Sequence, residues 1–322
     1  MENLEYLPYR MFAYLPLNSQ SKAIEKKGYL LRRICRDGSI LYSDVFTWPE
    51  MGDPSVEEVM QDLCKAYQPT SKQMSQGATE RVEIALSNLR TITPELDSQK
   101  VRSHYLYNWG ESSFNSALVD STIQSQQAQI LENPAATVKF KLFQNWHAQL
   151  QTLHKVAELL GPAGRLRLDF NSCLDENAFF EFEKKTRNLH QKIDFIEDPT
   201  PYNHDAWVRM NQVLPLALDF EIRNYSEFHS EVCHSPFDWV IFKPAAQRFS
   251  DVEVFAAQKK KMVVTSYLGH PISQQIAKLR HVELIKMYNH SIHPVGGWIH
   301  QHLYQKVIEG SKWLNVEHFL KS

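Results

Sequence analysis

The chain has 322 residues and 43% of them are hydrophobic, which is enough for one large domain with a smaller companion. Its 35 basic residues nearly balance its 37 acidic ones, and no cluster of Lys or Arg could follow a phosphate backbone, so nucleic acid is not an expected partner. The four cysteines lack disulfide or zinc-site spacing, and neither a basic leader nor an apolar run of about 18 residues occurs, so we expect a cytoplasmic protein without a membrane span.

The first hundred residues are predicted to form an α+β unit. Residues 29–48, YLLRRICRDGSILYSDVFTW, place an Asp37-Gly38 turn between two β-rich runs, which is typical of a hairpin. Two amphipathic helical patterns follow, VEEVMQDLCKAY (56–67) and TERVEIALSNLRT (79–91). Both strands and helices are therefore expected in this part of the chain.

From residue 103 onward, short β-like runs alternate with helical stretches such as ENAFFEFEKKTRNLHQK. Eight runs recur, at 103–108, 137–143, 165–170, 193–198, 215–221, 238–244, 261–267 and 282–288. This alternation predicts an α/β fold, a (β/α) barrel of the TIM type, in which ligands bind at the C-terminal ends of the strands. A doubly wound sheet is the competing architecture.

Ionisable residues recur at the ends of successive runs, with steps of 22 to 28 residues from one run to the next. They are Lys139, Lys141, Asp169, Glu197, Asp219 and Lys243. A closed barrel would bring them together, and buried charges are costly unless they are paired or bind a metal. Three carboxylates suit a hard cation such as Mg²⁺ better than zinc. A lysine beside that cation and a second lysine has a lowered pKa, so it can take a proton from carbon.

Five motifs in this order resemble the enolase superfamily, within it the muconate-lactonising subgroup, and most of all the o-succinylbenzoate synthase family. The motifs are Lys139-x-Lys141, Arg-Leu-Asp169-Phe-Asn171, Glu197-Asp-Pro, Asp219-x-Glu221 and Ile-x-Lys243-Pro. The resemblance implies a modified (β/α)7β barrel over 103–289 and an N-terminal α+β capping domain over 1–102. It also implies that a segment from about 290 to 322 packs back on the cap.

The resemblance also implies a function. Members of that family are lyases of menaquinone biosynthesis that dehydrate 2-succinyl-6-hydroxy-2,4-cyclohexadiene-1-carboxylate to o-succinylbenzoate. We therefore expect a small-molecule carboxylate as substrate and an essential Mg²⁺, for which Mn²⁺ is a possible substitute. Cap loops at 18–22 and 47–53 are expected to reach over the barrel mouth and shape the pocket.

Residue roles carried over from the family form three groups. Lys141 would be the general base, Lys139 would assist it electrostatically, and Lys243 would stabilise the enediolate from the opposite face. The expected metal ligands are Asp169, Glu197 and Asp219. Thr265, Ser266 and Asn171 are expected on the substrate side, and Glu221 behind the metal ligands. Apart from the resemblance, Arg167 shares a strand face with Asp169, so we expect the two to form an ion pair.

Other functions stay open at this point. A racemase of N-acylamino acids or an epimerase of dipeptides could use the same lysines from opposite faces of one α-carbon. The eighth run ends in LIKMYNH without the Asp-x-Asp that dipeptide epimerases use, and Pro follows Lys243, so this alternative is less favoured. A barrel that only binds a ligand is the alternative outside enzymes, but its charged groups would then only destabilise the core.

Overall fold

The computed structural model describes residues 4–14, 17, 24–67, 76–92, 102–107, 130, 132, 133, 135–220, 222, 235–298, 304–316 and 319. The strands are β1 (Leu4–Ala13), β2 (Glu25–Ile34), β3 (Ile40–Phe46), β4 (Arg102–Ser103), β5 (Tyr105–Tyr107), β6 (Thr137–Lys141), β7 (Arg165–Asp169), β8 (Ile193–Glu197), β9 (Leu216–Leu218), β10 (Trp239–Phe242), β11 (Lys261–Val264), β12 (Val295–Gly296), β13 (Tyr304–Glu309) and β14 (Leu314–Asn315). The helices described are α1 (Val56–Tyr67), α2 (Gln76–Ser87), α3 (Leu150–Leu159), α4 (Glu176–Lys185), α5 (His204–Asn211), α6 (Phe249–Ala257) and α7 (Pro271–Met287). None of the helices in these ranges is long and apolar enough to cross a membrane.

The N-terminal sheet is antiparallel and has the order β13-β1-β2-β3, with β14 also paired to β1. The predicted hairpin is confirmed, because β2 and β3 pair over their length around the Asp37-Gly38 turn, where Gly38 adopts a φ of 82°. Helices α1 and α2 cover one face of the sheet. Their apolar side chains, including Val59 and Val82, pack against Leu31 in a common core.

Strands β5 to β11 form a seven-stranded parallel sheet in chain order. Residues 291–297 lie along its other edge: bridges join Ile292 to Met262 and Gly297 to Thr265, and β12 pairs in parallel with β4. The parallel sheet therefore curls round into a ring of strands. Its last junction, between β11 and residues 292–297, is formed by isolated bridges rather than by a continuous ladder. The predicted barrel with an N-terminal cap is confirmed.

The predicted eighth strand at 282–288 is wrong. These residues belong almost entirely to α7, which begins with Pro271 behind a His270 side chain that accepts from the Ile272 N–H. Buried positions along α7 include Ile276, Ala277 and Leu284, whose spacing is that of one helix face. The last barrel strand lies instead in 292–297. This segment contains Pro and two Gly, which are uncommon in strands, so its composition does not predict one.

Side chains of β6 alternate between two buried faces. Val138 and Phe140 pack in the large core beneath the helices, whereas Lys139 and Lys141 point to the barrel interior. Deeper inside the barrel lies a small apolar layer that includes Phe195, Trp239, Ile241 and Val263. One buried strand can therefore carry two lysines, because their side chains point toward the open end of the barrel rather than toward the helices.

Candidate active site

The predicted charged residues meet at the C-terminal ends of the barrel strands. The strand register places Lys141 beside Asp169 and Asp169 beside Glu197. Asp219 follows β9 and Lys243 follows β10, and their side chains form an ion pair. One mouth thus holds all three predicted carboxylates and all three predicted lysines.

Each carboxylate contacts a lysine. Lys139 Nζ donates to both oxygens of Glu197 at 2.7 Å and lies 2.9 Å from Asp169 Oδ2. Lys141 Nζ is 3.6 Å from the same Asp169 oxygen and 3.4 Å from the carbonyl oxygen of Leu17, a cap residue. Such pairing offsets the cost of burying these charges.

A pocket opens above this cluster, between the barrel mouth and cap residues Trp48 and Met51. Thr265, Ser266 and Asn171 line it, as do the three lysines, Asp169 and Asp219. Thr265 Oγ1 is buried and has no hydrogen-bond partner within the described part of the chain. Because a buried hydroxyl is normally satisfied, this atom is available to a bound molecule.

Two family models match the chain. The model described as "O-succinylbenzoate synthase, N-terminal domain" matches residues 4–79, and the one described as "Enolase C-terminal domain-like" matches residues 123–245. Together they span more than half of the sequence, and they fall on the cap and on the barrel strands that carry the charged cluster. The chain belongs to the enolase superfamily.

Individual relatives agree with this family. An o-succinylbenzoate synthase of Bdellovibrio bacteriovorus is 28% identical over 315 residues, which cover 95% of this chain and 88% of that protein. The fold resembles that of a Mg-complexed o-succinylbenzoate synthase from Thermosynechococcus elongatus, with a TM-score of 0.65, 16% identity and 94% of each chain covered. It also resembles the L-Ala-D/L-Glu epimerase of Bacillus subtilis, with a TM-score of 0.69, 10% identity and coverage of 95% and 92%. The two structures show the fold, and the relatives together support an enzyme of the o-succinylbenzoate synthase type.

The pKa values of the two lysines of β6 are shifted in opposite directions. Burial lowers the pKa of Lys141, and the positive charges of Lys139 and Lys243 lower it further, against the opposing pull of Asp169. Burial acts the same way on Lys139, but there the carboxylates of Asp169 and Glu197 outweigh it and raise the pKa. Lys139 is therefore the fixed cation of the pair, and Lys141 is the one that releases a proton more readily.

The three predicted metal ligands, Asp169, Glu197 and Asp219, are all carboxylates at the ends of neighbouring strands. Carboxylate oxygens are the donors that a hard divalent cation prefers. No three His, Cys, Asp or Glu side chains of the described residues are gathered around one point. The present ion pairs of the three carboxylates explain why they are not gathered: Lys139 lies between Asp169 and Glu197, and Lys243 pairs with Asp219. A cation would take over contacts that ammonium groups now make, so the residues present fit Mg²⁺.

Arg167 differs from expectation in its partners. Instead of Asp169, its Nε faces Asp194 Oδ2 at 3.4 Å, and its terminal nitrogens bond His293 Nδ1 at 2.8 Å and His104 Nδ1 at 3.1 Å. The fully buried guanidinium also donates to Val295 O at 2.9 Å. It thus connects β7 with His104, between β4 and β5, and with the last barrel strand. The expected loop at 18–22 and Glu221 lie outside the described residues.

Several pocket residues were missed by sequence reasoning. Asp198, next to Glu197, has a φ of 39° and accepts from the N–H groups of Asp219 at 3.0 Å and Phe220 at 2.8 Å, so it holds the end of β9 in place. Burial and the charge of Asp219 raise the pKa of Asp198 to about 7. Tyr267 also lines the pocket. A second acidic residue at a strand end was a usable signal for Asp198, whereas nothing local distinguished Tyr267.

Proposed function

We propose that this chain catalyses the Mg²⁺-dependent syn-dehydration of 2-succinyl-6-hydroxy-2,4-cyclohexadiene-1-carboxylate to o-succinylbenzoate. The observation that carries the proposal is that an o-succinylbenzoate synthase-type cap, matched over residues 4–79, closes over a barrel mouth with three lysines and three carboxylates. The relative from Bdellovibrio bacteriovorus, similar along 95% of the chain, supports the same reaction.

Lys141 acts as the base in this proposal. Its lowered pKa increases the neutral fraction of the amine, which takes the proton α to the substrate carboxylate. The hydroxyl leaves from the same face in a syn elimination, so Lys141 then returns that proton and water departs. Lys139 stays charged, and its positive charge helps to lower the pKa of Lys141.

Lys243 stabilises the negative charge that develops on the substrate carboxylate after proton removal. It follows β10, and β6 with Lys141 lies four strands away in an eight-membered ring, so the two ammonium groups approach a bound molecule from opposite walls. Asp169, Glu197 and Asp219 would hold Mg²⁺, which supplies further positive charge beside the substrate carboxylate when bound.

An epimerase remains the second candidate, because dipeptide epimerases share the fold; the one from Cytophaga hutchinsonii has a TM-score of 0.67. The actual last barrel strand, 292–297, reads IHPVGG and contains no acidic residue, so the absence of Asp-x-Asp holds there as it did for the run first assigned. The dehydratase is therefore the better supported reaction.

The test is turnover of the cyclohexadiene substrate by purified protein, followed by ultraviolet absorbance with Mg²⁺, with Mn²⁺ and with excess chelator. Conversion that needs the metal supports the proposal. Lys185→Ala, at an exposed position of α4, serves as the matched control for Lys141→Ala. Absence of conversion with metal, together with α-proton exchange of an N-succinyl amino acid or a dipeptide in D₂O, would establish the epimerase or racemase alternative.

A further inference from the structure

The cap binds the barrel backbone immediately after Lys243. Arg81 in α2 donates through Nη1 to the carbonyl oxygen of Ala245 at 2.9 Å. Asn88, the residue that follows α2, donates through Nδ2 to the carbonyl oxygen of Pro244 at 2.6 Å. Arg81 and Asn88 are about two helical turns apart, so they project from the same side of α2. Two successive carbonyls behind Lys243 are therefore held by one helix of the cap.

The same arginine also holds a wall of the pocket. Arg81 Nη2 lies 2.6 Å from Asp53 Oδ1, and the Tyr267 hydroxyl donates to Asp53 Oδ2 at 2.8 Å. The backbone N–H of Trp48 donates to that second oxygen at 2.9 Å. Arg81 is 4% exposed and Asp53 is 7% exposed, so the network is shielded from solvent. Burial and the charge of Asp53 raise the pKa of the Tyr267 phenol, which keeps it a hydrogen-bond donor.

The ring of Tyr267 faces the ammonium group of Lys243, whose Nζ is 5.5 Å from the ring centroid. Arg81 therefore contacts the surroundings of Lys243 in two places, the backbone that follows Lys243 and the residues that orient the Tyr267 ring. The backbone of Lys243 is held by Arg81 and Asn88 through the next two carbonyls, and its ammonium lies over a ring that Asp53 and Arg81 orient.

We propose that Arg81, with Asp53 and Asn88, is a positioning residue of the cap that sets the place of the Lys243 ammonium in the pocket. This inference rests on the proposed function only in the role given to Lys243. A buried ion pair adds little net stability compared with apolar residues of the same volume, so the contribution of this pair is to geometry. Displacement of a catalytic group by about 1 Å can lower a rate about a hundredfold.

Two variants separate positioning from folding. Asn88→Asp keeps the acceptor that Arg280 Nε uses at 3.0 Å but removes the donor to Pro244 O. The double variant Arg81→Met with Asp53→Asn removes the ion pair without leaving a buried charge alone. Glu80→Gln is the control on the same helix, because Glu80 is partly exposed and its ion pair with Arg248, at 3.4 Å, lies outside this network.

We expect kcat to fall about tenfold or more in Asn88→Asp and in the double variant, with KM changed less than about threefold. Glu80→Gln should keep both constants. The proposal is overturned if the two variants keep the kcat of the control, or if only KM changes. If the double variant does not fold, Tyr267→Phe replaces it, since that change removes the hydroxyl bonded to Asp53 and retains the ring.

A second readout does not depend on turnover. Protein labelled with ¹³C at the lysine Cε gives a signal for Lys243 that is assigned by its loss in Lys243→Arg, and the Tyr267 ring shifts this signal. We expect the Lys243 signal to move in Asn88→Asp and in the double variant and to stay in Glu80→Gln. An unchanged signal in both variants would refute the positioning role even in a protein with no dehydratase activity. Absence of wild-type turnover alone would refute the proposed function instead.

Discussion

We expect the buried carboxyl group of Asp44 to make the stability of this protein depend on pH. This carboxylate of β3 is 6% exposed and lies between the cap sheet and the start of α7. It accepts from the Tyr9 hydroxyl at 2.8 Å and from the His270 N–H at 3.2 Å, both uncharged donors. Burial raises its pKa from 3.8 to about 7, although these hydrogen bonds act in the opposite direction.

The sign follows from proton binding. The folded state binds a proton on Asp44 more tightly than the unfolded chain does, so its contribution to stability is complete below about pH 4 and is lost as pH rises toward 7. Each unit of pKa difference corresponds to about 1.4 kcal/mol. Between pH 5 and pH 8 the free energy of unfolding should therefore fall by about 3 kcal/mol through this group.

The assay is urea unfolding of the wild type and of Asp44→Asn at several pH values from 5 to 8. The amide cannot ionise, so the stability difference between the two proteins should change in favour of Asp44→Asn by about 3 kcal/mol across this range. A constant offset from rearranged hydrogen bonds does not affect that slope. Asp37→Asn is the control, because Ser39 lowers the pKa of this exposed carboxyl and it stays ionised throughout. A difference between wild type and Asp44→Asn that does not vary with pH would refute the reasoning.

Three further predictions concern the pocket. Lys141→Ala should lower kcat by about 10² to 10⁴-fold with the fold retained by circular dichroism, since it removes the base but no core contact, while Lys185→Ala should behave as wild type. Thr265→Val should raise KM roughly tenfold in steady-state kinetics without loss of thermal stability, because Thr265 Oγ1 makes no hydrogen bond within the part of the chain that the structure describes; an unchanged KM would remove Thr265 from the substrate site. Mg²⁺ at a hundred times its Kd should stabilise the protein by about 2.7 kcal/mol in thermal unfolding, and Asp219→Asn should lose most of that gain.

Most of the features that could be predicted depend on residues that are near each other in the sequence. The Asp37-Gly38 turn and the two helices after it are local patterns, and the regular return of a charged residue at strand ends placed Lys141, Asp169 and Glu197 at one barrel mouth. The run at 282–288 shows the limit of this reasoning. Its β-rich composition was overridden by a capped helix that packs on the barrel, and the real strand nearby contains Pro and Gly.

Local patterns therefore determined the alternation of strands and helices, the α+β character of the N-terminal unit and the set of charged residues, because hydrophobic period and strand-end position are properties of short segments. The capping role of the N-terminal unit and the choice of a barrel over a doubly wound sheet came from the family resemblance. Only the tertiary structure decided which lysine of β6 has the lowered pKa, since that depends on how many carboxylates surround each ammonium. It also decided the network of Arg81, Asp53 and Tyr267, whose last two members are 214 residues apart. Burial and hydrogen bonding between distant segments exist only in the folded chain, and no local pattern encodes them.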